Sequence, residues 1–176
     1  NCIPLLKEGE IDLWIGDITN LKNDNEFVKK FIKKIPLVIF AKKNDKIFNN
    51  KKITFSHLSK HKWSLLYGSA LLRDKNLNFV NDLTSALKRN GINIERNLTT
   101  FSSTIALFAS ARNNGSVAIA PKTLLNIAEN FDLKEIDNLK IMDLDIGLLV
   151  RNKIANYKII KFMIDLILKN IGEKIT

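Results

Sequence analysis

The chain has 176 residues, of which 45% are hydrophobic and 26% are charged, and its net charge at pH 7 is +10. This length and composition are typical of one globular domain or two small lobes, and they exclude a wholly disordered chain. The apolar runs at 146–150 and 164–168 are too short to cross a bilayer, and the single cysteine, Cys2, excludes an internal disulfide and a multi-thiolate metal site.

The positive charge is carried mainly by lysine, which accounts for 23 of the 28 basic residues. The lysines are scattered along the sequence and lack the interleaved aromatic residues of a base-stacking surface. They include Lys29, Lys30, Lys33, Lys34, Lys42, Lys43, Lys51 and Lys52. We therefore interpret them as a solvated surface and not as a nucleic-acid interface.

The first half of the chain predicts short strands separated by helical or turn-rich segments. A turn at Gly9 ends a helix, and strands are predicted at 11–15, 36–41 and 63–67, with a short helix at 54–60. The segment 25–34 carries Phe27, Val28, Phe31 and Ile32 at a spacing that fits either a helix or a strand.

In the second half, apolar periodicity predicts further alternation of helices and strands, the pattern of an α/β fold. Helices are predicted at 77–90, 101–113, 121–128 and 157–171, and strands at 92–98, 117–120, 133–136 and 145–150. Their expected inward residues are Val80, Leu83 and Leu87, then Ile105, Phe108 and Ala109, then Ile160, Met163, Ile164 and Ile167. Gly91 supplies a helix stop, and Pro121 suits a first helical position.

Residues 98–121 contain the best candidate site. A cluster of hydroxyl residues opens an apolar helix, an Asn-Gly stop closes it, and a buried-type strand ends at Pro121. Free backbone N–H groups and hydroxyls at a helix N-terminus bind small anions. The candidates are Thr99, Thr100, Phe101, Ser102 and Ser103. The alternative is an ordinary N-cap, which needs only one of these hydroxyls.

Five phrases in a fixed order resemble the effector-binding domain of LysR-type transcriptional regulators. They are LLKEGEIDLWIG (5–16), PLVIFAKKND (36–45), ITFSHLSKHKWSLLYGSALLR (53–73), RNNGSVAIAP (112–121) and IGLLVRNK (146–153). Together they cover essentially the whole chain. The chain departs from the family pattern at Asn114 and Ser116, where glycine is usual.

The resemblance implies a two-lobed α/β fold of the periplasmic-binding-protein-like type 2 class. Lobe one would comprise residues 1–40 and 143–176 and would be truncated at its N-terminus, and lobe two would comprise 41–142. Strands at 37–41 and 145–150 would cross between the lobes as neighbours. Part of lobe one would precede this chain, and its absence would leave the stripe of helix 157–171 partly uncovered and the chain poorly soluble.

The resemblance also implies a regulatory function without cofactor or catalysis. A small effector, a carboxylate or another anion, would bind between the lobes of a cytoplasmic homodimer or homotetramer. DNA would be bound only through a winged helix-turn-helix that precedes this chain, and no membrane would be involved. Further cleft residues would be Tyr67, Gly68 and Ser69, with Phe40, Ala41, Gly16 and Asp17, although turns and core packing are the alternative roles of these positions.

Three alternatives remain open in the sequence. His57 and His61 are four residues apart and could hold a metal, but no third ligand is indicated, so we interpret them as surface residues. A transporter-type solute-binding protein would share the two-lobed fold. An enzyme that reuses this fold would carry a carboxylate or histidine of strongly perturbed pKa in the cleft.

Overall fold

The computed structural model describes residues 2–19, 21–22, 24–66, 79–94 and 97–172. The chain divides into two compact units, unit 1 with Asn1–Lys34 and Leu144–Thr176 and unit 2 with Ile35–Asp143. The helices are α1 (Cys2–Glu8), α2 (Phe79–Arg89), α3 (Thr104–Asn114), α4 (Leu125–Asn130) and α5 (Lys158–Gly172). The strands are β1 (Leu13–Asp17), β2 (Phe27–Lys42), β3 (Trp63–Leu66), β4 (Leu98–Phe101), β5 (Val117–Pro121) and β6 (Leu133–Arg151).

Unit 1 is built on the strand order β1-β6-β2. β1 pairs antiparallel with β6, with Leu13 opposite Val150 and Gly16 opposite Gly147. Helix α5 packs Ile160 and Ile164 against this sheet, in a core that also contains Leu148 and Val150. Helix α1 ends before Gly9, whose φ of +81° confirms the predicted helix stop.

The ambiguous segment 25–34 is part of a long strand. Its doubled pattern of two apolar residues followed by two lysines imitates a helical repeat. In an extended chain, however, the same pattern places Val28 and Ile32 on one face, where they pack against the α5 core. The predicted strands at 36–41 and 145–150 are likewise parts of β2 and β6, which are neighbours in the sheet. The two segments do not lie side by side as predicted. The Asn152 amide donates to the Glu26 carbonyl and the Lys43 amide donates to the Asp132 carbonyl, which places 145–150 beside the amino-terminal half of β2.

Unit 2 contains the strand order β6-β2-β5-β3-β4. β3 is parallel to β4 and β5, whereas β2 is antiparallel to β5. The apolar runs of β2 and β5 are buried continuously because both faces of these central strands are covered. Phe40 lies edge-on to Phe108 of α3, with ring centroids 5.6 Å apart, at the centre of the unit 2 core.

The predicted boundaries around the hydroxyl cluster are wrong. Ile92 and Ile94 are buried, but residues 92–94 form no strand; β4 begins at Leu98 and runs to Phe101. Thr99 and Thr100 pair with Ser64 and Leu65, so they lie within a strand and not at a helix N-terminus as predicted. β-branched threonine suits a strand, and α3 begins only at Thr104.

Two predicted helix faces also need correction. On α3, Phe108 is fully buried as expected, but Ile105 is 66% exposed and Leu107 and Ala111 take the inward positions. On α5, Ile160 and Ile164 are buried, whereas Met163 points outward and is 41% exposed. On both helices, the face that contacts the core is rotated about the helix axis relative to the predicted face. Leu83 and Leu87 of α2 are buried as predicted.

The remaining differences are mainly in length and helix type. The predicted short helix at 54–60 is a 3-10 helix at Phe55–Leu58, with Thr54 as its N-cap. The predicted helix at 121–128 begins as a 3-10 helix at Lys122–Leu124, and α4 follows from Leu125. Pro121 is the last residue of β5 and not a first helical residue. The predicted strand 133–136 is the beginning of the continuous strand β6, which lies between β1 and β2 in the sheet.

Candidate functional site

The carboxyl ends of two parallel strands meet at one edge of unit 2. Leu66 of β3 lies opposite Phe101 of β4. Ser102 and Ser103 follow Phe101 directly and connect it to α3. Ligands of α/β proteins bind beyond the carboxyl ends of such strands. This edge, and the turn at Ser102 and Ser103, is therefore the candidate site.

Ser103 has the ordinary capping role that is the alternative to anion binding. It is the N-cap of α3, with extended φ and ψ of −122° and 130°, and its Oγ accepts a hydrogen bond from the Ala106 amide at 3.4 Å. Its carbonyl accepts from the Leu107 amide at 3.0 Å. The amides of Thr104 and Ile105, in the first turn, have no acceptor within the helix.

Ser102 is the exposed hydroxyl next to these amides. Among the residues that the structure describes, no hydrogen bond to its side chain is found. An exposed hydroxyl beside free amides and the positive end of an eleven-residue helix can hydrogen-bond an anionic oxygen. The arrangement supports anion binding, and the described residues of this edge include no nucleophile paired with a base.

The other three residues of the cluster lie on β4. Thr99 and Thr100 are exposed on opposite faces of the strand. Phe101 is half-buried and packs against the core that contains Leu107 and Phe108. Phe101 therefore anchors the strand end to α3, whereas the threonines offer hydroxyls before the turn.

Phe40 and Ala41 are core residues. Phe40 and Ser64 both pair with Ala118, and Ser64 lies at the amino end of β3. Ala41 is therefore about 10 Å along the strands from the edge at Leu66 and Phe101, at about 3.3 Å per residue. Their exposures are 0% and 1%, so neither side chain offers a surface to a ligand.

Gly16 and Asp17 belong to unit 1 and have local structural contacts. The Trp14 indole lies across Gly16, where a β-carbon would clash with the ring. Asp17 Oδ1 accepts a hydrogen bond from the Thr19 amide at 2.9 Å. The Thr19 hydroxyl accepts from the Asp145 amide at 2.8 Å, so Asp17 stabilises the turn after β1. Tyr67, Gly68 and Ser69 lie outside the described residues.

The two histidines have different partners. His57 Nδ1 accepts a hydrogen bond from the Thr54 amide at 3.0 Å, and His61 Nε2 lies 3.5 Å from Asp45 Oδ2. Both histidines line a cavity of about 550 Å³. Within the described ranges, no group of three His, Cys, Asp or Glu side chains is placed to hold a metal ion.

A charged cavity of about 610 Å³ in unit 1 was not anticipated from the sequence. Lys7 Nζ lies 2.9 Å from Glu26 Oε2 and 3.3 Å from Asp24 Oδ2, and these carboxylates raise the pKa of Lys7. The pKa of the Asp24 carboxyl is lowered mainly by a hydrogen bond from the Glu26 amide, and a hydrogen bond from Lys7 lowers it further. Arg151 Nη2 contacts Asp12 at 2.6 Å. These charges compensate one another, so the cavity is not a preferred anion site.

Solved structures similar to this chain include regulatory domains of LysR-family proteins. The regulatory domain of MetR from N. meningitidis has a TM-score of 0.66 and 16% identity, over 98% of this chain and 75% of that one. The regulatory domain of Synechocystis CcmR, in complex with 2-PG, has a TM-score of 0.72 and 11% identity, over 98% and 79%. The effector-binding domain of QuiR, in complex with shikimate, has a TM-score of 0.71 and 16% identity, over 99% and 78%.

No protein-family model and no curated protein matches the sequence. In the part of the chain that the structure describes, no helix has the length and apolar character needed to span a membrane. At sequence identities of 11% to 16%, these structural similarities establish the fold alone. The chain has the periplasmic-binding-protein-like type 2 fold of the effector-binding domains of LysR-family regulators.

Proposed function

We propose that this chain is the effector-binding part of a LysR-type transcriptional regulator and that it senses a small anion. The complete protein would act in the cytoplasm as a homodimer or homotetramer and would bind specific DNA through a winged helix-turn-helix outside this chain. It would catalyse no reaction. Binding of the effector would shift a conformational equilibrium that alters how the DNA-binding helices are presented.

The observation that carries this proposal is the set of free donors at the carboxyl edge of β3 and β4, in a fold whose solved examples include complexes with small molecules. Ser102 Oγ and the amides of Thr104 and Ile105 would hydrogen-bond the anionic group of the effector. Ser103 would hold the helix terminus in place through its cap. Fold alone does not determine function, so the proposal depends on this site.

The same edge defines the other residues that we assign to the site. Thr99 and Thr100 precede the turn on β4, and Tyr67, Gly68 and Ser69 follow Leu66 in the sequence. We leave Phe40, Ala41, Gly16 and Asp17 out of the proposed site because core packing or a turn explains each of them.

The test is a thermal-shift screen of small carboxylates and phosphate monoesters, shikimate included, followed by calorimetry of any ligand that stabilises the chain. We expect Ser102→Ala to weaken binding of that ligand by about tenfold, the loss of one hydrogen bond to a charged group. The control is Ser85→Ala, which removes an exposed hydroxyl of α2 that is not part of the proposed site. Equal affinities for the parent and Ser102→Ala proteins would contradict the proposed site.

A second measurement separates a regulator from a transporter-type solute-binding protein. We expect deletion of the gene to change the transcription of a small set of operons in a manner that depends on the ligand found above. A change in uptake of that ligand with no change in transcription would contradict the regulatory function.

A further inference from the structure

The positive charge of this protein is concentrated in one connection. Residues 42–62, which link β2 to β3, contain seven lysines and a single acidic residue, Asp45. We call this segment the basic connection. It carries a net charge of +6, out of +10 for the whole chain. Its lysines are Lys42, Lys43, Lys46, Lys51, Lys52, Lys60 and Lys62.

The fold of unit 2 brings both ends of the basic connection to one edge of the sheet. Phe40 and Ser64 both face Ala118, so β2 ends where β3 begins. This is the amino end of β3, opposite the edge with the proposed effector site. From β6, Lys134 places its Nζ 5.2 Å above the Phe48 ring and adds another cation. The lysines of the basic connection and Lys134 therefore share one region.

These lysines are not neutralised by nearby carboxylates. Among the described residues, no lysine of the basic connection forms an ion pair, and all except the half-buried Lys42 are exposed. Asp45 is occupied: its Oδ1 accepts the Ile47 amide at 2.9 Å and its Oδ2 lies beside His61. Asp132 is a neighbour through its carbonyl, which accepts the Lys43 amide. Residues 132–138 of β6 adjoin the connection through Lys43 and Ile53 and bring Asp132, Glu135 and Asp137 as well as Lys134. These acidic residues do not outnumber the lysines, so the region keeps a net positive charge, which attracts polyanions.

The basic connection is also held in a defined shape. Ile47, Ile53 and Leu58 are buried, which anchors both of its 3-10 helices. The Thr54 amide donates to His57, and the His61 amide donates to the Leu58 carbonyl at 3.0 Å. Because the backbone is already ordered, binding of a polyanion would cost mainly the ordering of lysine side chains.

We propose that the basic connection docks on the phosphate backbone of duplex DNA without reading its base sequence. Lysine contacts phosphates as a point charge, whereas bidentate reading of guanine is typical of arginine. Phe48 and Phe55 are half-buried and present no open stacking platform for single strands. No large exposed apolar residue lies in the connection to enter a membrane. The choice of DNA as the polyanion rests on the proposed function.

The test measures binding of the 176-residue chain to a fluorescent random-sequence duplex by anisotropy over a series of KCl concentrations. The test variant replaces Lys46, Lys51, Lys52 and Lys60 with glutamine. The matched control replaces four exposed lysines of unit 1, namely Lys153, Lys158, Lys161 and Lys169, with glutamine. Both variants lower the net charge from +10 to +6, so they differ only in where the charge is removed.

We expect the parent to bind with an affinity that falls as salt rises. The test variant should bind at least about tenfold more weakly at low salt, and the slope of log affinity against log salt should fall by about 3. The control should change by less than about threefold. Equal weakening by the two variants, or no binding by the parent at low salt, would overturn the proposal.

Preference for vesicles of anionic phospholipid over the duplex, or tighter binding to a single strand, would also overturn it. Circular dichroism and thermal melting of both variants establish that they remain folded. No effector is present in this measurement, so its failure is distinguishable from failure of the Ser102 site, which calorimetry tests separately.

Discussion

Ser116 occupies a position where the family resemblance led us to expect glycine. Ser116 is 4% exposed, and its Oγ lies 2.9 Å from the Oγ of Ser64, which is 1% exposed. Two buried hydroxyls that hydrogen-bond each other avoid the cost of an unsatisfied polar group. The sequence offers no signal for this pair, because its members are 52 residues apart.

We predict that the two serines are energetically coupled. Ser116→Ala or Ser64→Ala alone should lower the free energy of unfolding by about 1 to 2 kcal/mol, because the remaining hydroxyl loses its partner. The double variant should lose less than the sum of the single losses. Urea denaturation of the four proteins measures this coupling. Additive losses would show that the hydroxyls do not stabilise each other.

At the scale of elements, α3 connects the candidate site to the core. Its first turn carries the Ser103 cap, while Leu107, Phe108 and Ala111 pack against the sheet. Gly115, with φ of +64°, ends the helix in the left-handed conformation that glycine tolerates. The packing of Leu107, Phe108 and Ala111 in the core therefore holds the amides of the first turn of α3 in position.

We predict a large difference between the two faces of α3. Phe108→Ala should lower the free energy of unfolding by about 3 to 5 kcal/mol, because it removes a fully buried ring from the core. Ile105→Ala, one turn earlier and 66% exposed, should change it by no more than about 0.5 kcal/mol. Chemical denaturation measures both. Similar losses would mean that the contact face of α3 is not the one described.

At the scale of the whole molecule, an apolar face of α5 stands apart from the buried one. Ile159, Phe162, Met163 and Leu166 follow a helical spacing, and their exposures lie between 41% and 63%. Exposed apolar patches on soluble proteins promote association. This stripe is displaced from the one expected from the sequence, since only Met163 belongs to both.

We predict that this face makes the 176-residue chain self-associate as its concentration rises. Phe162→Gln should reduce the association, because it removes the aromatic ring of the stripe, which is 62% exposed. Phe31→Gln is the control, since Phe31 is an isolated aromatic residue of β2 with a similar exposure of 54%. Sedimentation velocity over a range of concentrations measures the effect. Equal changes in the two variants would exclude a specific role for α5.

The sequence by itself determined the features that depend on near neighbours. Continuous apolar runs identified the central strands at 36–41, 117–120 and 145–150, and glycines identified the ends of α1, α2 and α3. The turn at Ser102 and Ser103 was recognised as the start of a helix because the cap chemistry is local.

Only the tertiary structure decided features that need a distant partner. β3 supplies the hydrogen bonds that turn Leu98–Phe101 into a strand, which moved Thr99 and Thr100 away from the helix terminus. Pairing along β6 and packing of α5 make Phe27–Lys42 one strand despite its helical spacing. Lys134 joins the lysines of 42–62 because β6 lies beside β2 in the sheet. Pairing and packing act between residues far apart in the chain, so no local pattern specifies them.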